Sequence, residues 1–339
     1  MSDVAKPLWQ VDPSAFVGKR VLITGGLGFI GSNLAVRLAD LGAEVSLMDS
    51  LIPSHGGNLA NIDDARDRVA IHIADLRDAE LLPQLVERSD VVFNLAGQTS
   101  HLDSMTDPLT DLSINAASQL HLLEACRLHA PGTRVVFAST RQFYGRPRYL
   151  PVDEKHPLEP MDVNGVNKLA GEWYHKLYHD VYGLETTALR LTNTYGPRMR
   201  VRDSRQTFLG VWIYNSLVGS PIEVWGGAQL RDYTYVDDAV EAFLAVALAD
   251  CAVGRSFNLG GVRPYTLLET AEKLVDVAGS GATLTIREFP AERKAIDIGD
   301  YYADYSLISS SLGWRPQVDL NEGLRRTMDY FRSRISAYV

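Results

Sequence analysis

The run Arg20-Val-Leu-Ile-Thr-Gly-Gly-Leu-Gly-Phe-Ile-Gly31 decides the fold of this chain. Residues suited to a buried strand pass directly into glycines at 25, 28 and 31. An apolar stripe of Ile30, Leu34, Leu38 and Leu41 then repeats at helical intervals as far as Gly42. Strand, glycine turn and helix in that order open a parallel β-α unit. Glycines let such a turn bend tightly and approach a pyrophosphate, which the free N–H groups and dipole of the helix N-terminus stabilise. Gly25, Gly28, Phe29, Ile30 and Gly31 are therefore the first candidates for a dinucleotide site.

Working outward, the same alternation continues. Arg20–Thr24, Glu44–Met48, Val69–Ile73, Val91–Leu95, Arg134–Ala138, Thr186–Leu191 and Ser256–Leu259 read as strands, each almost continuously apolar at its centre. That pattern suits parallel strands covered on both faces. Longer helical patterns run over Leu112–Leu128 and Val166–Tyr182. The expected fold is α/β, a doubly wound parallel sheet of Rossmann type. From about Tyr195 the rhythm changes to shorter helices (Phe208–Leu217, Asp237–Leu248, Leu267–Ala278, Leu320–Ser333) between insertions rich in Gly, Arg and Trp. This predicts a smaller, discontinuous C-terminal substrate domain. Its expected residues are 195–234 and 263–339, with 18–194 and the returning segment 235–262 forming the dinucleotide domain.

Composition narrows the function. The chain has 339 residues, 46% hydrophobic and 22% charged, which excludes disordered and fibrous classes. Its formal charge is −9, with no cluster of Lys or Arg, so neither nucleic acid nor an anionic membrane is an expected partner. Two cysteines, Cys126 and Cys251, cannot build a disulfide framework or a four-cysteine zinc site. His175 and His179 are one helical turn apart and read as a solvated face; no metal is expected. The first twenty residues carry charges and lack an apolar core, so no signal peptide is expected, and the expected location is cytoplasmic.

Asp49 ends the second strand, where a carboxylate can accept a hydrogen bond from a ribose 2′-hydroxyl. It would repel a 2′-phosphate, and no Lys or Arg lies between Asp49 and Asp64 to neutralise one, so the cofactor is expected to be NAD. Asp75 and Leu76 end the third strand as a wall for adenine, and Leu95 and Ala96 end the fourth.

Taken together, TGGxGFIG, the acid after the second strand, Asp75-Leu76, Asn94-Leu-Ala-Gly97, a hydroxyl residue before Tyr144-Gly145, and Lys168 resemble the extended short-chain dehydrogenase/reductase family, from about Arg20 to Tyr330. Leu189-Arg-Leu-Thr-Asn-Thr-Tyr-Gly-Pro197, Gln229-Leu-Arg-Asp-Tyr-Thr-Tyr-Val-Asp-Asp238 and Leu312-Gly-Trp-Arg-Pro316 strengthen the likeness to its sugar-nucleotide epimerases, dehydratases and decarboxylases. The resemblance implies that Gln98, Leu191 and Lys168 complete the cofactor site, with a catalytic hydroxyl at Thr140 and a Tyr–Lys pair on one helix face, the lysine again Lys168. An ammonium so placed lowers a phenol's pKa and prepares it to take a sugar proton. Where the tyrosine belongs, this chain has Asn164, whose amide does not titrate near neutrality.

Three readings remain open at this point. A substitute carries the proton, with Tyr144, Tyr149, Tyr195 and His101 as candidates; or Asn164 orients a hydroxyl and water, with Lys168 or the substrate assisting; or the chain binds its ligands without the usual chemistry. The resemblance also implies a nucleotide-diphosphate sugar bound by Arg231, Arg293, Asn193 and Phe208, and a homodimer through the two long helices. Arg141-Gln142 stands where dehydratases carry Asp-Glu beside the hydroxyl residue, and the acid that decarboxylases place there is missing as well. The expected reaction is therefore NAD-dependent epimerisation, at C4 in the first instance. A net dehydrogenase and a non-catalytic binding protein are the alternatives.

Overall fold

The computed structural model describes residues 11–52, 55–205, 207–279, 281–289 and 297–339. Six strands come first in chain order: β1 (Arg20–Thr24), β2 (Glu44–Asp49), β3 (Val69–Ile73), β4 (Val91–Asn94), β5 (Arg134–Thr140) and β6 (Glu185–Leu191). With the later strand Ser256–Asn258 they form one parallel sheet in the order Ser256–Asn258, β6, β5, β4, β1, β2, β3. Side chains alternate across each strand, and both faces are covered. Val21, Ile23, Phe93 and Val136 enter one apolar cluster, while Leu22, Met48, Val92 and Val135 enter another. That is why each strand reads as an unbroken apolar run.

Strand order reverses between β1 and β4, which pair although they are not consecutive. Ligands of such sheets bind in the crevice beyond the carboxyl ends at this point. The first helix, Phe29–Asp40, leaves β1 through the glycine turn. The helix Val163–Tyr182 starts earlier than its apolar pattern because the Asp162 side chain caps it, accepting from Gly165 N. Gly183, at φ 74°, closes it in the left-handed region. The pattern over Leu112–Leu128 is not one uniform helix. Pro108–Leu112 passes through a π-helical stretch, Ser113–Ala117, into Ser118–His129.

The later part of the chain contributes three two-stranded pairs and the helices Phe208–Val218, Leu267–Ala278 and Leu320–Arg332. One apolar cluster joins them to the sheet, with Leu189 and Phe257 sharing it with Trp212, Ile222, Leu274 and Phe331. Among the described residues, no helix is long and apolar enough to cross a membrane.

Candidate active site

The cradle beyond β1 is shaped by absent side chains. Gly25 has φ +67°, and a Cβ there would lie 2.9 Å from Ala96 N and from the Leu95 carbonyl. A Cβ on Gly31 would lie 2.3 Å from Gly25 O, so the helix could not approach the turn. Asp49 closes one side. Its Oδ2 accepts from Leu27 N at 3.0 Å and its Oδ1 from Leu51 N at 2.9 Å. Burial raises its pKa, and these backbone donors limit the rise. At the next strand end, the Arg77 guanidinium grips both Asp75 oxygens at 2.6 Å and holds that carboxyl below its ordinary range. Every expected cofactor residue, from Gly25 round to Leu191, lines this single cavity.

Thr140 and Lys168 face the same cavity from opposite elements, the end of β5 and the helix Val163–Tyr182. Thr140 Oγ1 accepts from Gln142 N at 3.1 Å. Lys168 Nζ donates to Ala138 O at 2.7 Å and sits 4.5 Å from the Phe137 ring centroid. Burial pushes the Lys168 ammonium down to about 8, against the opposing pull of Asp111 and Glu172.

Asn164 also lines the cavity, and its amide is engaged behind it. Nδ2 donates to Gln98 O at 2.8 Å and to Asp111 Oδ2 at 3.1 Å. The buried Asp111 carboxylate further accepts from Asn115 Nδ2 at 3.1 Å and Asn167 Nδ2 at 2.7 Å. Asn115 sits in the π-helical stretch and bonds Gln98 in both directions, at N and at O. Asn164 is thus one of three carboxamides holding a buried carboxylate.

The expectation that Tyr144 takes part in catalysis is corrected. Its ring is fully buried outside the cavity, its hydroxyl donating to Asn258 Oδ1 at 2.7 Å and accepting from Arg190 Nη1 at 2.6 Å. Arg190 in turn pairs with Glu172 at 2.5 Å, and Ser139 and Ser256 bond the same carboxylate. Burial raises the Tyr144 phenol, so it stays protonated as a structural anchor.

A second cavity adjoins the first. Arg231, Asn193 and Phe208 line it, while Arg293 lies outside the described residues. Arg231 is held by Gly299 O at 2.5 Å and Asp297 at 2.9 Å. Asn193 directs its amide N–H to Asp232 O at 3.0 Å and accepts from Arg141 Nη2 at 3.1 Å. Aromatic side chains form the far wall, with Phe208 against Trp212 and Trp225 against Phe289. His101, Arg141, Gln142, Asn193 and Thr207 belong to both cavities.

Several site residues escaped the sequence reading. His55 and Arg77 line the cofactor cavity. Arg141 stands in sequence where related enzymes carry an acid, yet its Nη1 is shielded from solvent without a hydrogen-bond partner, and burial with the nearby Arg231 charge lowers its pKa. Asp162 carries a local signal as well, since an aspartate just before a helical pattern marks a helix cap.

Residues 21–260 match the NAD dependent epimerase/dehydratase family. UDP-glucose 4-epimerase of Mycolicibacterium smegmatis is 33% identical over 319 residues, covering 93% of this chain and 99% of that protein. Among solved structures, an epimerase of Methanothermobacter thermautotrophicus superposes with a TM-score of 0.90 at 28% identity, covering 97% of this chain and 96% of that one. UDP-glucose 4-epimerase of Thermotoga maritima, solved with UDP-glucose, gives 0.85 at 30% identity, covering 93% and 99%. The chain belongs to the NAD dependent epimerase/dehydratase family.

Proposed function

We propose that the protein is an NAD-dependent epimerase of nucleotide-diphosphate sugars, inverting a hydroxyl-bearing carbon, C4 first, by transient oxidation and hydride return. The observation that carries this reading is the shared wall. Thr140 and Lys168 stand in a glycine-shaped dinucleotide cradle that opens, across His101, Arg141, Gln142 and Asn193, into a cavity holding Arg231. The cradle fits the cofactor, because a Cβ at Gly25 or Gly31 would strike backbone and Asp49 accepts hydrogen bonds at its rim. When bound, NAD supplies a reversible hydride acceptor.

The protein's own groups divide the remaining work. Lys168 places a buried cation beside the cradle, suited to ribose hydroxyls and to an oxygen gaining negative charge. Thr140 offers a hydroxyl to the reacting sugar oxygen. Arg231 and Arg141 supply guanidinium forks for phosphate, and the aromatic wall offers apolar faces to a nucleoside base. Residues 195–234 and 263–339 form the substrate side in this reading.

A second copy of the chain is the proposed partner. Leu109, Leu112, Val166, Trp173, Leu177 and Val181 are exposed on the two long helical segments, at 46% or more. Large apolar side chains so exposed on neighbouring helical segments suit an interface with another protein surface. We also place the protein in the cytoplasm, a reading supported by its free thiols, Cys126 buried and Cys251 exposed.

The test is to incubate purified holoprotein, without added NAD, with UDP-glucose, UDP-glucuronate and dTDP-glucose, and to follow the sugar carbons by NMR. Formation of an epimer while the dinucleotide stays bound is the expected result. Stoichiometric release of NADH would favour a net dehydrogenase, and absence of turnover with sugar nucleotides shown to bind would overturn the proposal.

A further inference from the structure

Epimerisation needs a group that takes a hydroxyl proton and returns it, and Asn164 cannot titrate to do so. The structure removes most substitutes. Tyr144 bonds Asn258 and Arg190 outside the cavity. Tyr195 is buried, its hydroxyl packed towards Gly323 and 3.5 Å from Asp319 O. Tyr149 is exposed and donates to Asp153 at 2.7 Å. None of the three lines either cavity.

His101 differs from all of them. It opens the short helix His101–Thr106 on the wall common to the two cavities. Its Nδ1 is shielded from solvent and lies 3.0 Å from Asp162 Oδ2. That distance is not yet aligned as a hydrogen bond; catalytic bonds commonly align only once substrate is bound. The Asp162 side chain is completely buried and caps the very helix that carries Asn164 and Lys168. It also accepts from Gln142 Nε2 at 2.8 Å and from Gly165 N at 2.6 Å. Burial alone would raise this carboxyl, but His101 and these donors outweigh it and keep it below its ordinary range. A buried, ionised carboxylate against Nδ1 fixes the tautomer of an imidazole and leaves Nε2 to exchange a proton.

We propose that His101, positioned by Asp162, is the proton-transfer residue of this site, in place of a side chain at position 164. The proposal rests on the epimerase reading above. In the forward half-reaction the sugar O–H bond breaks and its proton goes to Nε2. The hydrogen on the same carbon leaves with its electron pair for an oxidised nicotinamide dinucleotide, and the C–O bond becomes a ketone carbonyl. The imidazolium is balanced by the Asp162 carboxylate. Return of hydride to the other face of the carbonyl takes the proton back, so nothing is consumed. Asp162 acts through His101 and is a positioning residue.

Charged and titratable groups on the walls of the two cavities are Asp49, His55, Asp75, Arg77, Arg141, Lys168, Arg202, Asp203, Glu223, Arg231, Asp297 and the Asp103–Arg205 ion pair at 2.9 Å. The test therefore compares variants with the parent. His101→Gln and Asp162→Asn are prepared as holoproteins; the asparagine can still cap the helix. Each is assayed for epimer formation from pH 5 to 9, for dinucleotide content and for sugar-nucleotide affinity by calorimetry. His101→Gln is expected to lower kcat about 10²–10⁴-fold and to erase the lower limb of the pH profile, with dinucleotide content and affinity unchanged. Asp162→Asn is expected to move that limb to lower pH, because a carboxylate no longer favours the imidazolium.

A His101→Gln enzyme with kcat within tenfold of the parent and the same pH profile would overturn the proposal and leave the epimerase reading standing. If the parent protein turns over none of the three sugar nucleotides, the epimerase reading fails instead. The pair is then judged from the His101 ring nitrogen resonances of the holoprotein. Protonated Nδ1 and a titration that shifts in Asp162→Asn support it; resonances indifferent to that substitution overturn it.

Discussion

Replacing Asn164 by alanine separates a structural carboxamide from a catalytic one. The substitution removes the Nδ2 bonds to Gln98 O, 2.8 Å, and to Asp111 Oδ2, 3.1 Å. Gln98 O keeps its bond from Asn115, and Asp111 keeps Asn115 and Asn167, so no acceptor is left orphaned. An ordinary hydrogen bond contributes about 1 kcal/mol and one to a charged group about 1.5–3 kcal/mol. The expected loss is therefore about 2–4 kcal/mol. With an unfolding entropy of roughly 2 cal/mol/K per residue over 339 residues, that corresponds to a fall in Tm of about 3–6 °C. Catalysis should respond differently. Deleting a proton carrier costs about 10²–10⁴ in rate, whereas loosening one of three amides round Asp111 should cost less than about tenfold. Thermal melts followed by circular dichroism and kcat measured on the same preparations decide the matter. An unchanged Tm together with a kcat loss above a hundredfold, the dinucleotide still bound, would refute the reasoning and return Asn164 to the chemistry.

Gly25→Ala places a Cβ 2.9 Å from the Leu95 carbonyl at a φ of +67°, so about 1–2 kcal/mol of left-handed strain adds to the clash. Purified protein should carry little dinucleotide, as read from its absorbance after denaturation; full loading would contradict the cradle. Lys168→Met tests the buried cation. Burial brings the Lys168 pKa down to about 8 in the folded protein, below its value in the unfolded chain. The unfolded chain therefore binds more protons between about pH 8 and 10.5, and stability from this group rises with pH across that window. The melting gain of Lys168→Met over the parent should be largest below pH 8 and shrink towards pH 10; a constant difference would refute the shift. Arg190→Met leaves the Glu172 carboxylate buried and unpaired after losing a 2.5 Å ion pair. It should cost about 3–5 kcal/mol in urea unfolding, and a loss under about 1 kcal/mol would mean the pair contributes no more than an exposed one.

The sequence by itself determined the sheet, the cradle and the general chemistry. Strand runs such as Arg20–Thr24 and Arg134–Ala138 are legible because both faces of a parallel sheet demand apolar side chains, although the second strand runs on to Thr140. The positions of Gly25, Gly28 and Gly31 in a turn, of Asp49 at a strand end and of Lys168 on a helix are legible because each is set by local backbone geometry within a few residues. What the tertiary structure alone decided is which polar groups meet. Tyr144 belongs to a motif and looked available, yet Arg190 and Asn258, remote in sequence, hold it outside the cavity. Asn164 looked like a vacancy in the chemistry, yet Asp111 and Gln98 give its amide a structural partner on each side. His101 carries no motif at all. It acquires meaning from a buried carboxylate at Asp162, brought to it by the packing of one short helix against the start of a distant one. Periodicity and turn chemistry are short-range properties written along the chain, whereas the partner of a buried polar side chain is fixed only when separate elements close on one another.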